Sequence, residues 1–133
     1  MSERVASERI VLDASALLAI VFGEPGEERA LELVERGMVS TVNLSEAAAK
    51  MNERGLDEGE AERLLGALGF DLAGFGEAEA YAAGRLRAAT RAAGLSFGDR
   101  ACLALALREA LPVATADRAW AALDLGVAVE MIR

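Results

Sequence analysis

The chain has 133 residues, of which 53% are hydrophobic and 27% are charged, so it has enough apolar surface for a packed core and is not an acidic disordered segment. It contains no histidine, which excludes Ser-His-Asp and Cys-His catalysis and His-bearing zinc sites. The formal net charge is −8 and only 5% of residues are aromatic, so passive binding of nucleic acid to a basic or base-stacking surface is disfavoured. Any acid–base or metal chemistry must therefore use carboxylates.

Runs typical of β-strands alternate with helical patterns along the chain, which favours a parallel sheet covered by helices on both faces. The predicted strands are Arg9–Leu12, Val39–Val42, Phe70–Leu72, Pro112–Thr115 and Val127–Glu130. The predicted helices are Glu27–Glu35, Leu44–Glu53, Glu58–Leu68, Ala78–Ala93 and Arg100–Ala110. We therefore predict an α/β fold, a three-layer α/β/α sandwich around a central parallel sheet. Residues 1–8 are a polar N-terminal lead, and residues 9–133 contain no linker or repeat and are predicted to form a single domain.

Cysteine content and hydropathy indicate the compartment. Cys102 is the only cysteine and lies in an apolar run, so it can form no internal disulfide and is expected to be buried in a protein of a reducing compartment. The longest near-apolar stretch, Ala14–Phe22, is too short to span a bilayer. The sequence predicts a cytoplasmic protein with no membrane segment.

Carboxylates stand at the junctions between the predicted elements. Asp13 and Asp117 follow the first and fourth predicted strands, Glu46 comes after the second, and Asp99 precedes an apolar helix. The carboxyl ends of parallel strands face one crevice, where ligands bind. These four side chains are therefore expected to converge on one edge of the sheet.

For each carboxylate taken alone, a helix cap is the favoured explanation. Asp13 or Asp117 could be an N-cap, and the segments Asn43–Glu46 and Ser96–Asp99 both have the spacing of a capping box. Capping does not explain why four carboxylates converge, since their mutual repulsion would raise their pKa values without a neutralising cation. Mg²⁺ or Mn²⁺ prefers carboxylate oxygens and water and commonly acts on phosphate esters, so the pattern indicates metal-assisted hydrolysis.

Four segments of the chain resemble, in order, the motif blocks of PIN-domain ribonucleases, specifically the VapC-type toxins of toxin–antitoxin pairs. These segments are Ile10–Ala19, Asn43–Glu46, Leu95–Ala106 and Val113–Trp120. The resemblance implies a PIN-like sandwich, a Mg²⁺- or Mn²⁺-dependent endoribonuclease acting on RNA, a homodimer, and a VapB-type antitoxin as partner.

The resemblance also implies roles for single residues. Asp13 and Asp99 match the positions that hold the metal most directly, and Glu46 and Asp117 match the two other acidic positions, which act through water. Ser15 and Thr115 match hydroxyl positions that hydrogen-bond the carboxylates and fix their orientation.

The net charge limits how such a protein could meet RNA. Removing the four carboxylates still leaves −8 + 4 = −4, so long-range steering of RNA is poor and recognition must be local. Guanidinium groups are the available phosphate contacts, with Arg85, Arg100 and Arg118 as candidates. Two alternative functions remain open at this point: a catalytically silent PIN-like binding or scaffold module, and a phosphoacceptor-type α/β domain.

Overall fold

The fold is seen in a computed structural model that describes residues 8–133. Of the polar lead predicted at residues 1–8, residues 1–7 lie outside the described residues. Five strands form one all-parallel sheet: β1 (Ile10–Leu12), β2 (Gly37–Ser40), β3 (Asp71–Ala73), β4 (Val113–Thr115) and β5 (Val129–Met131). The helices are α1 (Ala14–Phe22), α2 (Glu27–Val34), α3 (Thr41–Glu53), α4 (Glu58–Gly66), α5 (Glu77–Arg85), α6 (Arg87–Thr90) and α7 (Phe97–Glu109), with a 3₁₀ turn at Arg118–Ala122.

Successive side chains of the central strands point to opposite faces of the sheet, and this creates two hydrophobic cores. Ile10 and Leu12 of β1 pack into a cluster with helices α1 to α4, whereas Val11 packs on the opposite face with α5 and α7. Successive residues of a strand point to opposite faces, so a fully apolar strand must be covered on both sides. The predicted three-layer α/β/α sandwich is confirmed.

The order of the strands places a crevice beside β1. The sheet runs β3-β2-β1-β4-β5, so the chain builds outward on one side of β1 and then returns to build on the other side. The reversal lies between β1 and β4, whose carboxyl ends diverge into different connections. Such a switch point is where open α/β sheets bind ligands, and Asp13 and Asp117 follow these two strands.

Several predicted boundaries differ from the structure, and three of the differences bear on the site. The second strand ends at Ser40, because the hydroxyl of Ser40 accepts a hydrogen bond from the Val42 N–H at 3.2 Å and starts α3. Glu46 therefore lies within a helix and does not directly follow a strand. The helix predicted over Ala78–Ala93 is divided into α5 and α6 at Leu86. The last helix starts three residues earlier than predicted, at Phe97, because Ser96 caps it.

Two predictions about buried and apolar segments can also be compared with the fold. Cys102 is fully buried in the core between the sheet and α7, as predicted. Within residues 8–133, no helix has the length and apolar character needed to cross a membrane.

Candidate active site

Asp13 is the most buried of the four predicted carboxylates, with a relative exposure of 3%. It is the N-cap of α1, and its Oδ1 accepts a hydrogen bond from the Ala16 N–H at 3.0 Å. The helix-cap interpretation therefore accounts for one oxygen of the Asp13 carboxylate. It does not account for the second oxygen, which faces β4.

Two hydroxyl groups hold the Asp13 carboxylate, one from the first turn of α1 and one from β4. Ser15 Oγ donates to Asp13 Oδ1 at 2.7 Å, and Thr115 Oγ1 donates to Asp13 Oδ2 at 2.5 Å. Each hydroxyl is itself oriented by a backbone donor, Ala116 N–H for Ser15 and Asp117 N–H for Thr115. The orienting contacts expected of Ser15 and Thr115 are thus present.

Glu46 reaches the site from the second turn of α3. Its Oε1 accepts a hydrogen bond from Asn43 Nδ2 at 2.9 Å, and the same amide group donates to the Gly98 carbonyl at 3.0 Å. The Glu46 carboxylate packs directly on Gly98, where an added Cβ would overlap it. Asn43 and Gly98 together fix Glu46 against the start of α7.

Asp99 occupies the third position of α7. Its Oδ2 accepts a hydrogen bond from the Ser96 N–H at 2.9 Å, and Ser96 Oγ accepts one from the Asp99 N–H at 3.2 Å. The capping box predicted for Ser96–Asp99 is therefore present. The side chain of Asp99 is only half-buried, so its carboxylate remains open to the crevice.

Asp117 is the most exposed of the four carboxylates. It follows β4 and caps the 3₁₀ turn, since its Oδ1 accepts a hydrogen bond from the Ala119 N–H at 2.9 Å. The helix-cap interpretation of Asp117 therefore also describes a hydrogen bond that the structure contains.

The charge of Asp99 links the four carboxylates electrostatically. Burial raises the pKa of Asp13 from its usual 3.8 to about 6, against the opposing effect of its hydrogen bonds, and the charge of Asp99 adds to the rise. Burial also raises the pKa of Glu46, again with a contribution from Asp99. The pKa of Asp99 itself is raised by burial and by the charge of Asp117. Asp99 is therefore the carboxylate that interacts with each of the other three.

The spacing of these groups restricts the kind of metal site they could form. Among residues 8–133, no three carboxylate or cysteine side chains stand close enough together to hold one ion between them. A cage made only of protein ligands is thus absent from the described part of the chain. Mg²⁺ does not need one, because it retains several waters and is usually bound through one or two carboxylates.

The three predicted arginine contacts have different surroundings. Arg85 ends α5 and Arg118 begins the 3₁₀ turn beside Asp117, and both are exposed. Arg100 is less free, because its Nη1 donates to the Ala83 carbonyl at 2.9 Å and its guanidinium lies 5.8 Å from the ring centroid of Phe97.

Two residues of the site were not predicted as site residues. Asn43, which is 1% exposed, was considered only as a helix cap, and Gly98 only as part of a capping segment. The signal for both was their place in the second and third motif blocks. Their contact joins positions 55 residues apart, which no local pattern reveals.

The comparisons with known proteins agree with this arrangement. The model of the PIN domain family matches residues 10–125. The chain belongs to the PIN domain family. This match favours the PIN interpretation over the phosphoacceptor alternative. No curated protein matches the chain significantly by sequence.

Solved structures of known proteins are similar to this chain. The chain is similar to a toxin-antitoxin complex from Klebsiella pneumoniae (TM-score 0.72, 20% identity, 93% of this chain and 98% of that chain). It is also similar to VapBC2 from Rickettsia felis bound to a promoter DNA fragment (TM-score 0.71, 15% identity, 92% and 97%). A third similar structure is VapBC-5 of Mycobacterium tuberculosis (TM-score 0.61, 27% identity, 94% and 98%). The similarity to VapC-type PIN domains that the motif blocks predict is confirmed.

Proposed function

We propose that this PIN domain, residues 9–133, is a Mg²⁺- or Mn²⁺-dependent endoribonuclease and the toxin of a VapBC-type pair. One observation carries the proposal: the buried Asp13 carboxylate is electrostatically coupled, through Asp99, to other carboxylates at the switch point of the sheet. A charged group that is desolvated and repelled by its neighbours costs folding free energy. Such a group is retained where a bound cation uses it.

The donor set fits a hard divalent cation. The available ligands are carboxylate oxygens, and the site contains neither histidine nor an accessible thiol, since Cys102 is fully buried. This chemistry suits Mg²⁺ or Mn²⁺ and is unsuited to Zn²⁺. Asp13 and Asp99 would hold the ion, and Glu46 and Asp117 would hold its waters. When bound, the ion supplies Lewis acidity toward the phosphate and lowers the pKa of a coordinated water.

The protein groups position the reactants. Ser15 and Thr115 hold the two oxygens of Asp13 in one orientation, and Asn43 holds Glu46. Glu46 has a raised pKa, which makes it a better proton acceptor for an attacking water. The water gives a proton to Glu46, its oxygen bonds to phosphorus as the bond from phosphorus to the leaving ribose oxygen breaks, and the leaving oxygen takes a proton from solvent.

The proposed partners follow from charge and from the similar structures. The similar structures are a toxin-antitoxin complex and VapBC proteins, and we extend the pairing to this chain. A VapB-type antitoxin would cover the acidic crevice with an Arg or Lys that pairs with the carboxylates. We also propose that the protein forms a homodimer and acts in the cytoplasm. Arg85 and Arg118, which are exposed, would contact RNA phosphates, and Arg100 would do so from its place beside Phe97.

The test is to co-purify the chain with the protein encoded beside it, release the partner, and incubate total RNA with Mg²⁺ or Mn²⁺. We expect new RNA ends, mapped by sequencing, that are absent with EDTA and absent with the Asp99→Asn variant. RNA that is bound but remains uncleaved in the presence of either metal would contradict the nuclease proposal and favour the silent binding module.

A further inference from the structure

An open trough of about 710 Å³ is lined by Glu46, one of the four carboxylates. One wall is the face of α3 that carries Thr41, Ser45 and Glu46, and the other is formed by Phe75, Phe97 and Gly98. Glu46 and Gly98 belong both to this aromatic trough and to the site described above. Whatever occupies the trough therefore lies next to the reacting phosphate.

Phe97 is presented in the trough as a fixed aromatic surface. It begins α7, two positions before Asp99, and half of its side chain is exposed (50%). Its ring packs edge to face against Phe75, with centroids 5.4 Å apart and planes at 86°. Phe75 is held in turn by α3, since its backbone N–H donates to Thr41 Oγ1 at 3.2 Å. An exposed aromatic ring that is supported from behind loses little conformational entropy when a ligand stacks on it.

We infer that Phe97 stacks on a nucleobase of the RNA next to the cleaved phosphate. This inference rests on the proposed nuclease function and names a subsite for its substrate. Unpaired bases stack on aromatic side chains in single-stranded RNA recognition, and a base lies one ribose away from its own phosphate. The trough and the carboxylate site are joined through Glu46, which lines the trough beside Phe97 and packs on Gly98, the next residue of α7.

The polar groups along the trough favour a nucleic-acid base over an apolar peptide side chain. The trough ends at Glu46, and its α3 wall carries the hydroxyl groups of Thr41 and Ser45, which can pair with the polar edge of a base. The Arg100 guanidinium lies 5.8 Å from the Phe97 ring centroid and adds positive charge where the RNA backbone would pass. The low aromatic content of the chain limits this recognition to a single subsite.

The binding test uses a fluorophore placed at the subsite. Trp120 is the only tryptophan and is fully buried, so in a Phe97→Trp variant the exposed signal comes from position 97. We expect a short single-stranded RNA of mixed sequence to quench this fluorescence in buffer that contains Ca²⁺. In a series of RNAs that each carry one abasic position, quenching should be lost for only one of those positions. The matched control is Leu107→Trp, on the exposed face of the same helix about 15 Å away, where RNA should cause no quench.

The kinetic test separates this subsite from the catalytic groups. Phe97→Ala should raise KM for RNA cleavage about tenfold, as expected for loss of one stacked base, and leave kcat unchanged. Phe97→Tyr should restore KM, whereas Phe97→Leu, which keeps apolar bulk without an aromatic face, should not. Leu107→Ala should behave as the parent, and melting curves should show all variants folded.

Each result bears on one of the two proposals. Cleavage by the parent with an unchanged KM for Phe97→Ala and no quench for Phe97→Trp would overturn the base subsite and leave the nuclease proposal intact. Quenching by RNA without any cleavage would support the subsite and overturn the nuclease proposal. Quenching by the co-purified partner protein but not by RNA would make the trough a protein-binding surface and overturn the subsite.

Discussion

Two corners of the site are built in the same way and have opposite environments. The inner corner is Asp13 with Ser15 and Thr115, at the end of β1; the outer corner is Asp117 with its 3₁₀ turn, at the end of β4. Asp13 is covered by helix α1 and 3% exposed, whereas Asp117 is followed only by a short turn and remains exposed. The position after a strand brings a carboxylate to the crevice, but the element that follows decides its burial. Burial of the charge therefore costs folding free energy at the inner corner.

Removing the carboxylate between the corners should have the largest effect. Asp99→Asn keeps an oxygen that can accept from the Ser96 N–H, so α7 should still be capped. Loss of this charge should lower the rate of RNA cleavage roughly 10²- to 10³-fold, as expected for loss of an electrostatic group acting on the transition state, and should abolish stabilisation by Mg²⁺. Initial rates and melting curves measure both effects. Asp124→Asn, an exposed aspartate elsewhere, is the control; equal rates for the two variants would refute the site.

Removing the side chain that orients Glu46 should have the second largest effect on cleavage. Asn43→Ala removes the amide that joins Glu46 to Gly98, so the Glu46 carboxylate loses its fixed orientation. We expect cleavage to fall about 10- to 100-fold, the usual cost of losing a residue that orients a metal ligand, while the melting temperature shows a folded protein. Asn52→Ala, on the exposed face of the same helix, should cleave as the parent does. If the two variants are equally active, Asn43 has only a structural role.

Neutralising the carboxylate of each corner in turn should change the free energy of unfolding by different amounts. In EDTA at neutral pH, Asp13→Asn should raise the free energy of unfolding by up to about 3 kcal/mol, because it removes a charge whose pKa burial raises to about 6. Asp117→Asn should leave it nearly unchanged. Urea unfolding measures both values. Destabilisation by Asp13→Asn would mean that its hydrogen bonds outweigh the cost of burying its charge.

The inner corner should also give the metal-free protein an unusual pH dependence. Since the pKa of Asp13 is higher in the folded protein than the usual 3.8, the folded state binds more protons. Its contribution to stability is greatest below pH 4 and is lost as the pH rises toward 6. Between pH 5 and pH 7 the metal-free protein should therefore lose about 1 kcal/mol. Millimolar Mg²⁺ should reverse this loss at pH 7 through mass action. A metal-free stability that rises over this interval, or a melting curve that metal does not shift, would argue that the carboxylates are separate caps.

The smallest effect concerns the outer corner and the antitoxin. Because a cation of the partner would pair with an exposed carboxylate, Asp117→Asn should weaken the complex about fivefold, or ~1 kcal/mol. Glu58→Gln, at the exposed start of α4, should change neither affinity nor cleavage. Titration of the purified partner against both variants measures this. Equal affinities would place the antitoxin away from Asp117 and make inhibition indirect.

The layers of the fold, the two faces of its strands and the acidic edge follow from local patterns. Strand-like runs that alternate with helical patterns, together with the apolar run of α7, predicted the sandwich, and the carboxylates after the strands predicted an acidic edge. Boundaries failed where one side chain redirected the backbone: Ser40 caps α3 and shortens β2, so Glu46 reaches the site from a helix. Ser40 is a common N-cap residue, but the β-branched residues Val39, Thr41 and Val42 around it favour a strand, so the local pattern does not decide where β2 ends.

Contacts between distant segments decided the rest. The bond from Thr115 to Asp13 spans 102 positions, and the one from Asn43 to Gly98 spans 55. Three features of the site arise only when the layers pack. These are the burial that raises the pKa of Asp13, the contact of Glu46 with Gly98, and the packing of Phe97 against Phe75. Local periodicity is set by backbone geometry over a few residues, whereas desolvation and orientation depend on which surfaces meet.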